Sequence, residues 1–169
     1  PPHVSATGAW LERLRAELDW PAAHVALAMP PWSSGALVCA RTEAAAREAA
    51  SAIVIEVMVG AKGVIRARGS IARPVGKHAP SRTSYERMAV ASGHSWLAAR
   101  TSGGGVEATL THLARLGHPA LGDPRRCDPR TRRHFFEKHG LDRALCHVAA
   151  VTLPSGLRVA PRARGVVFG

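Results

Sequence analysis

Trp10, Leu11, Leu14 and Leu18 recur at steps of three and four residues, an apolar stripe that predicts an amphipathic helix from about Thr7 to Asp19, stopped by Pro21. After Pro30-Pro31, the short apolar run Gly35–Ala40 predicts a buried strand. Thr42 is placed to cap a second helix from Glu43 to about Ser51, whose alanines favour helix strongly. Ile53–Val59 is continuous and β-branched and predicts a strand covered on both faces. Residues 60–82 are basic and interrupted by Gly and Pro, which predicts a loop with one short strand near Val64–Ala67. Tyr85–Ala91 and His94–Arg100 read as a hairpin turning at Ser92-Gly93. Gly103-Gly104-Gly105 reads as a flexible break. Val106, Leu110, Leu113 and Ala114 then form a helical stripe ended by Gly117 just past the cap. Residues 123–142 are polar and read as an Arg-rich loop, and Cys146–Leu153 with Leu157–Ala160 as a second hairpin. There is no internal repeat. The pattern predicts one α+β domain over 1–169, with a mostly antiparallel mixed sheet flanked by helices.

Composition bounds this picture. With 169 residues and 46% apolar content the chain can bury a proper core. It contains no apolar run of about 18 residues, so no membrane span is expected. Pro1-Pro2-His3 resembles neither a secretory signal nor a transit peptide, which leaves the compartment open. Cys39, Cys127 and Cys146 are odd in number and irregularly spaced, which argues against a disulfide framework and for a reducing compartment.

Charge changes the picture most. Lys+Arg 23 against Asp+Glu 12 gives +11, and it is unevenly placed: residues 1–60 hold four basic and six acidic groups, residues 61–169 nineteen and six. Such asymmetry favours a polyanionic partner. The densest cluster is Arg125, Arg126, Arg130, Arg132 and Arg133, interrupted by the single acid Asp128. Guanidinium forks of this kind bind phosphate oxygens in pairs, although a solvated surface loop has the same composition. A second set comprises Lys62, Arg66, Arg68, Arg73, Lys77 and Arg82. A basic tail over 158–169 adds Arg158, Arg162 and Arg164, and such a tail reads either as threading between RNA helices or as simply disordered. Phe135 and Phe136 read as core anchors for the Arg-rich loop rather than as stacking platforms. Cys127, His134, His139, Cys146 and His147 do not follow a usual zinc spacing, so no metal or cofactor is expected, and no carboxylate–His–Ser set suggests a hydrolase.

The run His112-Leu113-Ala114-Arg115-Leu116-Gly117-His118-Pro119-Ala120-Leu121-Gly122-Asp123-Pro124 resembles the HLAHLGHPILGDP signature of the RluA-type RNA pseudouridine synthases. Ser33–Thr42 is similar to that family's TSGLLLLART, Pro80–Tyr85 to its ARTxY segment, Leu145–Ala149 to its LHA strand, and Pro1-Pro2 to its KPPG opening. The resemblance spans about residues 1 to 160 and implies the pseudouridine synthase fold. Within it His118 reads as structural, bonding a nearby backbone group.

The residues that carry the family's chemistry are replaced. The nucleophilic aspartate of HRLDxxTSG aligns with Pro30, which has no ionisable group. The base-stacking aromatic of KxYxAxVxG aligns with Val54, which has no π face. The arginines of TGRTHQIRVHLA align with Gly105 and Leu110. Losing a nucleophile alone costs many powers of ten in rate, so the resemblance implies a non-catalytic protein with no small-molecule substrate. The partners it implies are ribosomal RNA and neighbouring ribosomal or assembly proteins, by analogy in a mitochondrial ribosome's large subunit. Two alternatives stand beside it: an active synthase whose nucleophile has moved to Asp19, Glu43 or Glu107, and a protein-interaction module whose arginines meet acidic segments.

Overall fold

The computed structural model describes residues 12, 13, 15–17, 19, 22–76 and 80–160. Of the first expected helix, residues 12, 13 and 15–17 are helical, and the rest lies outside the described residues.

The centre of the fold is β4 (Val54–Ala61), where β-branched residues alternate with others. Ile55, Val57 and Val59 are essentially inaccessible, whereas Met58 on the opposite face is 38% exposed. One face of this strand is therefore sealed and the other only partly covered, with Val54 and Glu56 half-buried and Gly60 buried, which corrects the expectation of a strand sealed on both sides. Its neighbours are β7 (His94–Ser102) and β8 (Cys146–Thr152), both antiparallel to it. Beyond β7 lie β6 (Arg82–Ala91) and β5 (Arg68–Ala72); beyond β8 lie the two-residue strands β2 (Ser34–Gly35) and β9 (Arg158–Val159). Only β2 runs parallel to its neighbour. The β6–β7 hairpin turns at Ser92-Gly93, where both residues have positive φ. A separate two-stranded sheet pairs β1 (His24–Leu27) with β3 (Val38–Ala40).

Besides the helical residues 12, 13 and 15–17, three helices among the described residues accompany these strands: α1 (Glu43–Ala52), α2 (Gly105–Arg115) and α3 (Pro129–His139). The Thr42 hydroxyl accepts from the Ala45 N–H at 3.2 Å and caps α1. Val106, Leu110 and Leu113 of α2 are fully buried and belong to the same core as Ile55, Val59 and Leu97 of the sheet. A buried polar chain fastens α2 to β6 and β7. The hydroxyls of Thr109 and Thr101, and of Thr101 and Thr83, are each 2.8 Å apart, and Thr83 lies 2.9 Å from His112 Nδ1. His112 Nε2 lies 2.8 Å from the Arg73 carbonyl oxygen, which can only accept, so the ring donates there and Nδ1 is free to receive the Thr83 proton.

Several expectations differ from the structure. The run 35–40 is not one strand: Gly35 turns the chain with φ of +120°, so β2 and β3 belong to different sheets. The stretch 60–82 is not a plain loop, because β4 runs to Ala61 and an edge strand occupies Arg68–Ala72 rather than 64–67. The stretch 123–142 contains α3, with Asp128 as N-cap, Pro129 in the first turn and Gly140 in the left-handed conformation that ends it. The glycine triplet is not a break but the start of α2, Gly105 being its first residue.

Candidate nucleic-acid interface

Residues 28–35, between β1 and β2, carry the position where the resemblance places a nucleophile. The Pro30 carbonyl accepts from both the N–H and the hydroxyl of Ser33, at 3.0 and 2.8 Å, closing a tight turn. The start of α2 lies against this segment: a Cβ on Gly105 would stand 3.0 Å from Leu27 Cδ1. Leu110 is fully buried in the core, and Val54 is half-buried at the beginning of β4, paired with Ser102 and Thr152. Leu27 and Gly105, where the core meets this loop, have no ionisable side chain.

A charged cluster does lie beside it. Arg126 is only 15% exposed at its side chain and is held by Asp123 at 3.0 Å, by Glu107, and by the Thr111 hydroxyl at 3.1 Å. Asp123 is fully buried and also accepts the backbone N–H groups of Arg125 at 2.8 Å and Arg126 at 3.3 Å. This carboxylate therefore folds the turn that leads into α3. Arg125 extends outward, its guanidinium 4.5 Å above the Trp32 ring and 3.9 Å from Glu107. Trp32 thus connects the loop carrying Pro30 to the arginine-bearing turn, and its indole N–H is buried without an acceptor among the described residues. Of the three carboxylates considered as a relocated nucleophile, Glu107 is brought beside arginines at this loop. Glu43 pairs instead with Arg47 on α1 at 2.5 Å, and Asp19 lies exposed in a turn.

The remaining basic residues divide by how far their charge is already engaged. Lys62 Nζ lies 2.6 Å from Asp128 Oδ2, so it secures the N-terminus of α3. That contact, with the Thr131 N–H, holds the Asp128 carboxyl well below the usual carboxylate range. Arg68 pairs with Glu86 across β5 and β6 at 2.7 Å, and Arg158 with Glu56 at 2.6 Å, which lowers the Glu56 pKa. Arg66, Arg73, Arg82 and Arg130 are exposed, with no side-chain ion pair among the described residues. Among the described residues Arg132 reaches only the Pro124 carbonyl, at 3.3 Å, and Arg133 is 3.9 Å from Glu137. Arg130, Arg132 and Arg133 sit on a helix, so the fixed turn of α3 rather than a pliable loop sets their spacing. Lys77, Arg162 and Arg164 lie outside the described residues.

His118 Nδ1 donates to the Lys62 carbonyl at 2.9 Å, a structural bond within the Gly-His-Pro turn. Among the described residues no group of three or more His, Cys, Asp or Glu is placed to hold a metal. Burial pushes the Cys146 thiol up to about 12 and raises Cys39 and Cys127 as well, so all three thiols are poor ligands and nucleophiles. The expectation that both phenylalanines anchor the core needs correction. Phe135 is half-buried and packs edge-on to His94, with ring centroids 5.1 Å apart, whereas Phe136 is 59% exposed. Sequence reasoning thus misjudged Phe136, and it passed over Trp32. Aromatic residues make up only 5% of the chain, so each one near an arginine run was a usable signal.

No family model and no curated protein matches this chain. Solved structures do. The chain is similar to Human RNA Pseudouridylate Synthase Domain Containing 1 at 19% identity and a TM-score of 0.68, covering 90% of this chain and 73% of that one. It is also similar to Human RNA Pseudouridylate Synthase Domain Containing 4 at 15% identity and a TM-score of 0.67, covering 92% and 78%. The α+β architecture with its mostly antiparallel sheet is thus the pseudouridine synthase fold, as the sequence motifs implied.

Proposed function

We propose that this chain is a catalytically silent pseudouridine-synthase-like domain that binds structured RNA, placed by analogy in or on the large subunit of a mitochondrial ribosome. One observation carries the reading. Where the motifs place a nucleophile, a stacking aromatic and a partner arginine stand Pro30, Val54 and Gly105, while Arg125, Arg130, Arg132 and Arg133 project from one turn and one helix with little intramolecular compensation. A protein kept for catalysis has no use for that combination; a protein kept for its grip on phosphate does.

The test pairs binding with chemistry. Affinity for ribosomal RNA should fall by about a thousandfold between roughly 50 and 200 mM salt if about six phosphates are contacted. Mapping of the bound RNA should reveal no new pseudouridine. Salt-independent retention would remove the RNA reading, and a new pseudouridine would remove the silent one.

A second reading is favoured by the Glu107–Arg126 pair next to the loop of Pro30: an active synthase with a displaced carboxylate. Arg126 holds this carboxylate and Arg125 approaches it, as a partner arginine would, but Glu107 sits in none of the family's motifs for the nucleophile. Under this reading Glu107→Gln abolishes pseudouridine formation by the full chain; under the first there is no activity to lose.

A further inference from the structure

We infer that the outer face of α3 is a stacking subsite for one unpaired nucleotide, with Phe136 as the platform and Arg132 and Arg133 as the phosphate clamp. The inference rests on the RNA-binding reading and deepens it, since it names single-stranded rather than duplex RNA as the occupant.

Pro129, Arg132, Arg133 and Phe136 fall at spacings of three and four, so they share one face of the helix. That face borders a shallow, open groove of about 520 Å³ whose lining also includes Leu141. Its lining is unusual for a solvated helix. Phe136 is 59% exposed although its neighbour Phe135 packs against His94, so Phe135 anchors the helix while most of Phe136 is left open to solvent. An exposed aromatic face costs free energy in water unless something covers it.

Charge decides what covers it. Arg132 and Arg133 precede Phe136 by one turn, Glu137 stands beside Arg133, and Asp142 follows in the loop past the helix. Arg133 is 81% exposed at its side chain and only 3.9 Å from Glu137, and Arg130 nearby has no ion pair among the described residues. A nucleotide suits this arrangement, its base flat on Phe136 and its phosphate towards the arginines. Duplex RNA does not, because its bases are already stacked and offer no face to the ring. An acidic peptide would also satisfy the arginines but brings no flat face to cover the Phe136 ring.

The experiment measures binding of the full chain to a short uridine-rich single strand and to a duplex of equal length. Phe136→Ala and Phe136→Leu should each weaken single-strand binding by roughly tenfold, with the salt slope unchanged and duplex binding unaltered. Phe136→Tyr, which keeps the π face, should stay within about twofold of wild type. The double variant Arg132→Ala/Arg133→Ala should weaken both probes and lower the salt slope by about two. Wild-type single-strand affinity in Phe136→Ala, or an equal loss on both probes, overturns the subsite while leaving the RNA reading in place. If the wild-type chain binds neither probe, both fail together. Loss of a protein partner from Phe136→Ala, with RNA binding intact, assigns the groove to a protein and also overturns the inference.

Discussion

A Cβ placed on Gly122 would overlap the Arg143 carbonyl oxygen, and the residue has φ of +77°. The glycine of the Gly-Asp-Pro turn is therefore required by close backbone approach, and Asp123 beside it by three hydrogen bonds that orient Arg125 and Arg126. Gly122→Ala should cost about 2–4 kcal/mol, read as a lowered urea midpoint. Gly117 has φ of +84°, but a Cβ there would meet nothing within 4 Å, so Gly117→Ala should cost only about 1 kcal/mol. Gly35 repeats the first case, since a Cβ there would overlap the Val148 backbone. At this scale the motifs were fully visible in the sequence, but their causes were not. A glycine forced by a backbone distant along the chain looks the same in sequence as one tolerated at a helix end. Trp32 was missed and Phe136 misassigned for a related reason: whether an aromatic is an anchor or a platform depends on what lies across from it.

The elements that could be read were those with strong local patterns. Alternation and the Ser92-Gly93 turn identified the β6–β7 hairpin, and the stripe ending at Gly117 identified α2. α3 escaped because none of its residues is buried, so it has no apolar stripe to find. Its caps were nonetheless present as Asp128, Pro129 and Gly140. Short β5 was misplaced for the opposite reason: an edge strand is defined by its hydrogen bonds to β6, not by its own alternation. The α3 cap also sets a pH dependence. Asp128 is held below its ordinary value of 3.8 by Lys62 first and then by the Thr131 N–H. Its native state therefore binds fewer protons than the unfolded chain in the acid range, so its contribution is complete above pH 3.8 and is lost as pH falls through the depressed folded value. The difference in stability between wild type and Asp128→Asn should be present near neutrality and shrink steadily on acidification below about pH 4. A difference that stays constant with pH would mean the carboxylate contributes nothing through its charge.

Across the whole molecule the net charge of +11 overstates what a polyanion would meet. Lys62 is paired with Asp128, and Arg126 lies 15% exposed between Asp123 and Glu107. Arg130 and Arg132 have no comparable acidic partner among the described residues. A phosphate approaching the first pair would have to displace a carboxylate from a partly desolvated contact, and counterion release there is already forgone because the protein supplies the counterion. Four single variants therefore separate charge that is carried from charge that is presented, since each changes the formal total by one. Lys62→Gln and Arg126→Gln should lower thermal stability yet leave the slope of log affinity against log salt within error of wild type. Arg130→Gln and Arg132→Gln should do the reverse, each lowering the slope by about one with little effect on unfolding. If all four shift the slope alike, RNA responds to total charge rather than to an arginine surface shaped by α3, and the fold would matter here only as a carrier of positive residues.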